Sequence, residues 1–269
     1  MRRFLILVVC LATFKSIVSG LVPDTILILE FPQLPKTSYY QATGQHPTPL
    51  CSIYLPQNFD KSKKFPVVLW IDGGMGGAGD CAMHLKNKMG SKDFILINLP
   101  LFKNQMESLN PDSSNFWTRL RIRNTDSDIL WASYKTMLDS IFHLIPQIDC
   151  NNAFMGGFSN GAHATAVLLN RPQAQITHYF NKFFFVEGGD GLENYTVLKN
   201  CPVLYVQGTE LRYPNWVKSY YKKAKAQKAK ARFVYMKGVG HNFPNSKFPI
   251  LKNWIVINSA NIEHNSKIK

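Results

Sequence analysis

Phe154-Met155-Gly156-Gly157-Phe158-Ser159-Asn160-Gly161-Ala162-His163 is an apolar run that ends in Gly-x-Ser-x-Gly and passes directly into an Ala-rich segment. The pattern predicts a buried strand, a sharp turn and a helix, with Ser159 at the tip of the turn. Gly157 and Gly161 lack Cβ atoms, which lets a serine occupy so tight a corner without collision. Its hydroxyl is then exposed beside a helix N-terminus, the way a nucleophilic serine is mounted.

Upstream, Pro66-Val67-Val68-Leu69-Trp70-Ile71 reads as a continuous apolar strand that empties into Asp72-Gly73-Gly74-Met75-Gly76-Gly77. A Gly-rich loop of this kind can turn backbone N–H groups inward. Together with the N–H of Asn160, the N–H groups of Gly74 and Met75 are the candidate oxyanion hole. Downstream, Arg232-Phe233-Val234-Tyr235-Met236 reads as a strand, and His241 in the loop after it is the candidate general base. His163 lies one turn beyond Ser159 and is assigned to packing or backbone bonding, and His84 to packing or solvation.

In the order oxyanion loop, serine, acid, histidine, the chain resembles the α/β-hydrolase superfamily over most of its length. Cys51-Ser52-Ile53-Tyr54-Leu55-Pro56 and Lys63-Lys64-Phe65-Pro66-Val67-Val68-Leu69-Trp70 look like the opening of secreted esterases of the polyhydroxyalkanoate-depolymerase and feruloyl-esterase kind. The resemblance implies a serine hydrolase that forms an acyl-enzyme on Ser159 and needs no cofactor or metal. The substrate is then a small or polymeric carboxylic ester. A serine peptidase on the same scaffold and a catalytically inactive binding protein are the alternatives. Asp72 stands where related esterases commonly carry His, so an oxyanion hole beside it requires the carboxylate to point away or be paired.

The acid departs from the family pattern. Many members place Asp three residues after the glycine of Gln207-Gly208-Thr209-Glu210-Leu211; Leu211 holds that position here, and no Asp or Glu follows until Glu263. Glu210 is therefore the first choice for the third triad member. Asp190 or Glu187, in the loop after the preceding strand, is the rival, since some relatives use that loop.

Met1-Arg2-Arg3, the short apolar run Phe4 to Phe14 and the small residues Ser19 and Gly20 read as a secretory signal peptide over 1–20, leaving residues 21–269 as a single domain. That run is too short to span a bilayer. Export and the even count formed by Cys51, Cys81, Cys150 and Cys201 predict two disulfides, with the pairing open. Asn194-Tyr195-Thr196 is a glycosylation sequon.

The net charge of +14 is concentrated beyond Leu211. A helix over 215–231 is expected to bury Trp216, Val217, Tyr220, Ala224 and Ala231, and to present Lys218, Lys222, Lys223, Lys225, Lys228 and Lys230 to solvent. Such a face suits water or an anionic polysaccharide or membrane surface. No nucleic-acid module accompanies it.

Strands are expected near 25–32, 50–55, 66–71, 93–99, 152–158, 182–187, 202–206 and 232–236, and helices near 79–89, 128–145, 160–171, 215–231 and 246–256. This alternation predicts an α/β fold: a mainly parallel twisted sheet of about eight strands with helices on both faces and an antiparallel edge near its start. The long segment from Leu101 to Asp126 is expected to form a binding wall or a surface excursion.

Overall fold

The computed structural model describes residues 6–9, 21–45, 48–90, 92–104, 116–211 and 215–260. Its strands are β1 (Ile6–Val9), β2 (Ile26–Glu30), β3 (Leu50–Tyr54), β4 (Phe65–Ile71), β5 (Ile95–Leu99), β6 (Ile148–Phe158), β7 (Lys182–Val186), β8 (Pro202–Gly208) and β9 (Lys230–Met236). They form one sheet in the order β1-β2-β3-β5-β4-β6-β7-β8-β9. Pairing is parallel except on the two sides of β3, which alone runs against its neighbours. The outermost strand, β1, lies within the expected leader, and the rest of 1–20 falls outside the described residues. Residues 21–260 thus supply eight strands.

The helices are α1 (Ser38–Thr43), α2 (Ala82–Met89), α3 (Phe116–Leu120), α4 (Ser127–Leu144), α5 (Asn160–Leu169), α6 (Trp216–Ala226) and α7 (Phe248–Ala260). On one face of the sheet, α4, α5 and α6 bury residues such as Leu130, Met137, Ile141, Val167 and Val217 against Leu69, Met155 and Phe185. On the other, Leu85 and Met89 of α2 and Leu251 and Trp254 of α7 cover Val68, Phe154 and Leu204. Strand β7 and residues 152–157 of β6 are buried over both faces, as an all-apolar sequence such as Phe183-Phe184-Phe185-Val186 requires. Each fully buried side chain of this kind contributes about 1.5–3 kcal/mol of transfer free energy.

Two expectations need correction. The lysine-rich helix stops at Ala226, not 231: Lys228 adopts a φ of 62° and Lys230 opens β9. Ala and Lys favour helix, but pairing of Lys230 and Ala231 with Pro202 and Val203 on β8 overrides that propensity. Lys218, Lys222, Lys223 and Lys225 alone lie on α6; Val217 and Ala224 are buried, and Trp216 and Tyr220 half-buried.

Cys51, Cys81, Cys150 and Cys201 are free thiols, not disulfides. Cys51 packs into the core on one side of β3, whereas the adjacent Ser52 accepts the N–H of Ala82, the residue after Cys81, on the other. Alternation along the strand therefore directs Cys51 away from Cys81. Cys150 is exposed in β6 and Cys201 precedes β8, with β7 between those strands.

Candidate active site

The carboxyl ends of the parallel strands β4, β6, β7, β8 and β9 converge on one locus, and each contributes to it. Ser159 follows β6 with φ 51° and ψ −114°, a conformation that costs a non-glycine residue about 1–3 kcal/mol. The surroundings enforce it. A Cβ at Gly157 would lie 2.2 Å from the carbonyl oxygen of Ile71, and one at Gly161 would lie 2.1 Å from the same atom. Both glycines are therefore dictated by the close passage of β4, and the Ser159 N–H is tied to Val186 O at 2.8 Å.

Ser159 Oγ lies 2.9 Å from His241 Nε2. His241 sits in the loop after β9, where Phe243, two residues on, is buried against Trp70 (ring centroids 6.0 Å apart) and Phe248 (4.5 Å). That aromatic cluster fixes the loop, and Phe158 packs beside the imidazole at 5.2 Å.

Behind the imidazole, His241 Nδ1 lies 3.7 Å from Glu187 Oε2. Glu187 follows β7, has φ 52° and is fully buried. Its Oε1 accepts the N–H of Gly208, while Oε2 has no hydrogen-bond partner among the described residues. A buried carboxylate oxygen left open toward an imidazole nitrogen is arranged to accept its proton. The present separation is long for a hydrogen bond, as such contacts often are before substrate binds.

Glu210 and Asp190 lie elsewhere. Glu210 is exposed and engages the histidine loop through its backbone, its N–H donating to Val239 O at 3.0 Å. Asp190 pairs with Arg121 and accepts from Tyr220 Oη at 3.0 Å. Of the three carboxylates considered from sequence, Glu187 is the one beside His241.

Gly74 lines the pocket next to Ser159, whereas Met75 is half-buried and does not. Asn160 does more than sequence suggested. Its side chain donates to Gly74 O (2.8 Å) and Leu120 O (3.1 Å) and accepts from the Ile122 N–H (3.2 Å), clamping the elbow to two loops. Asp72 is held off the pocket: Trp70 Nε1 donates to one oxygen at 2.8 Å and Asn98 Nδ2 to the other at 3.1 Å.

The pocket encloses about 480 Å³. Phe158 and Trp216 supply its aromatic walls, and Arg121 and His163 flank them. Arg121 comes from the long segment after β5, so the part of it that is described, 101–104 and 116–126, contributes a wall residue. His163 Nδ1 accepts the Asp190 N–H at 3.0 Å. Burial, with the charges of Arg121 and His241 nearby, holds its pKa down at about 3, so it is a neutral wall residue. His84 is neither buried nor in the pocket. No group of His, Cys, Asp and Glu among the described residues could hold a metal.

No protein-family model matches the chain, and no curated protein matches it. Solved structures do. A ferulic acid esterase from the anaerobic fungus Anaeromyces mucronatus superposes with a TM-score of 0.56 at 13% identity, covering 88% of this chain and 91% of that one. A hyperthermophilic esterase from Pyrobaculum calidifontis gives 0.54 at 14% identity over 91% of this chain and 87% of that one. A putative dipeptidyl aminopeptidase IV of Bacteroides ovatus gives 0.55 at 16%; 87% of this chain matches 36% of that larger protein. The chain has the α/β-hydrolase fold, as the sequence resemblance implied.

Proposed function

We propose that the protein is a serine hydrolase of carboxylic esters, with Ser159 as nucleophile, His241 as general base and Glu187 as the acid that orients it. The contact between Ser159 Oγ and His241 Nε2 at 2.9 Å, on a positive-φ elbow, carries this reading. With its Nδ1 proton facing Glu187, the imidazole presents an unprotonated Nε2 to the serine. Ser159 Oγ attacks the ester carbonyl as its proton passes to Nε2, and the imidazolium returns that proton to the leaving alcohol. Water, activated in turn by His241, then releases the acid. The backbone N–H of Asn160, with one from Gly74–Met75, is assigned to the oxyanion.

Fluorophosphonate labelling tests the assignment. Wild type should carry one adduct, mapped to Ser159, and Ser159→Ala should carry none and lose ester turnover. A folded wild-type protein without a Ser159 adduct would establish the inactive binding fold instead. Turnover of a peptide in preference to its matched ester would establish the peptidase.

The protein is further proposed to be exported through its N-terminal segment. The exposed Lys222, Lys223, Lys225, Lys228 and Lys230, with half-buried Lys218, are proposed to attract an anionic polysaccharide or membrane surface.

A further inference from the structure

The polar groups around the pocket are unevenly spent. Among the described residues, Gly74 O takes the Asn160 amide, Asn160 Oδ1 takes the Ile122 N–H, and the two oxygens of Asp190, behind the wall, take Arg121 and Tyr220. His163 Nδ1 is occupied by the Asp190 N–H. The donors are not exhausted. Arg121 uses one guanidinium nitrogen on Asp190, leaving Nε and Nη1 without a partner among the described residues. His163, neutral and with Nδ1 accepting, carries its proton on Nε2, which has no acceptor there either.

Asp190 also explains why Arg121 stays in place. The carboxylate is fixed by Tyr220 Oη on one side and by its own N–H on His163 on the other, so the guanidinium is oriented before any ligand arrives. The His163 ring stands edge-on to Trp216 with centroids 5.9 Å apart, closing the wall. An apolar pocket with unspent donors on Arg121 and His163, beside acceptors that are already bonded among the described residues, favours a group that accepts hydrogen bonds. A planar, doubly accepting anion matches the guanidinium edge that Nη1 shares with the second N–H of Nη2.

We propose that this wall is a carboxylate subsite, and that the preferred substrates are esters bearing a second, ionised carboxylate that docks on Arg121 with support from His163. The proposal rests on the serine-hydrolase reading only for turnover; binding to the wall is independent of it.

Monobenzyl glutarate and benzyl valerate form one matched pair, with the carboxylate on the acyl side. Potassium 4-acetoxybenzoate and methyl 4-acetoxybenzoate form another, with it on the alcohol side. The acid should exceed its neutral partner in kcat/KM by about tenfold in at least one pair, and that pair identifies the side. In Arg121→Gln the ratio should fall to near one, and in Arg121→Lys it should be intermediate; taking the ratio cancels any loss common to both esters. A wild-type ratio at or below one in both pairs, or a preference that survives Arg121→Gln, overturns the proposal.

Ser159→Ala protein titrated with the same four ligands by NMR gives the binding counterpart: the acid of the preferred pair should bind about tenfold tighter, and only while Arg121 is present. Equal affinities for acid and neutral ligand would overturn the proposal. A missing fluorophosphonate adduct with the binding preference intact would instead overturn the hydrolase reading and leave the subsite standing.

Discussion

Glu187→Gln separates an orienting acid from a buried structural carboxylate. The substitution keeps the shape of a fully buried side chain, and its amide oxygen can still accept the Gly208 N–H. The NH2 group then faces His241 Nδ1 in place of Oε2. That group donates, so Nδ1 must become the acceptor and the ring proton moves to Nε2, which points at Ser159 Oγ. A protonated, neutral Nε2 cannot take the serine proton. In Ser-His-acid sites the equivalent loss of tautomer control lowers kcat about 10⁴-fold. Rotating the amide to restore an acceptor at Nδ1 would set NH2 against the Gly208 N–H and lose a buried hydrogen bond, at a cost of about 1–3 kcal/mol. The expected outcome is a kcat on p-nitrophenyl butyrate lower by about 10³ to 10⁴, with a folded protein by circular dichroism and KM changed little. Glu210→Gln, at an exposed position, should remain within about threefold of wild type. A Glu187→Gln enzyme within tenfold of wild type, or a Glu210→Gln enzyme equally disabled, would refute the assignment.

Phe243→Ala removes the ring that seats the histidine loop on Trp70 and Phe248, and should cost about 3–5 kcal/mol in urea unfolding while lowering kcat. Asn160→Ala deletes three hydrogen bonds linking the elbow to Gly74, Leu120 and Ile122; unfolding should show a loss of about 2–4 kcal/mol, and esterase assays a lower kcat than the loss of stability alone explains. His163 gives a pH signature. Its folded pKa of about 3 lies below the usual unfolded value of about 6.5, so the stability it contributes is complete above pH 6.5 and declines as pH falls toward 3. Between pH 6.5 and 4.5 that decline amounts to about 2–3 kcal/mol, and chemical denaturation of His163→Gln should show a slope shallower by this amount.

What could be read from the chain follows from how local each signal is. Ser159 and His241 announce themselves because an elbow and a Gly-rich loop need particular residues at fixed short spacings. The acid carries no such constraint. A spacing rule counted from Gly208 pointed to Glu210, yet the Gly208 N–H is itself the partner of Glu187. A local clue did exist: Glu187 directly follows Phe183-Phe184-Phe185-Val186, and a carboxylate continuing a run buried on both faces must find a partner. Lys228-Ala229-Lys230 was illegible for a different reason, because helix propensity there competes with strand pairing to β8, and only the sheet decides. The role of the Asn160 side chain was hidden for want of any sequence proximity: its partners lie about forty and eighty-six residues away.

Placing the proposed acid at Glu187 also accounts for how the site is held together. The Ser159 N–H bonds Val186 O, the Glu187 N–H bonds Val206 O, and the Gly208 N–H bonds the Glu187 carboxylate. From there the Thr209 N–H reaches Met236 O and the Glu210 N–H reaches Val239 O, two residues before His241. The segments that carry Ser159, Glu187 and His241 are therefore joined by hydrogen bonds from main-chain N–H groups that step across β6, β7, β8 and β9 at their carboxyl ends. In this relay Glu210 serves through its amide, which any residue except proline supplies. The side chain at 210 is thus released from the geometry of the site, and one at 187 is bound to it. A Cβ at position 208 would lie 2.1 Å from Val239 O, so the step from acid to base also depends on glycine there. Gly208 thus serves twice: it lets the histidine loop close over the end of β8, and its N–H donates to the Glu187 carboxylate.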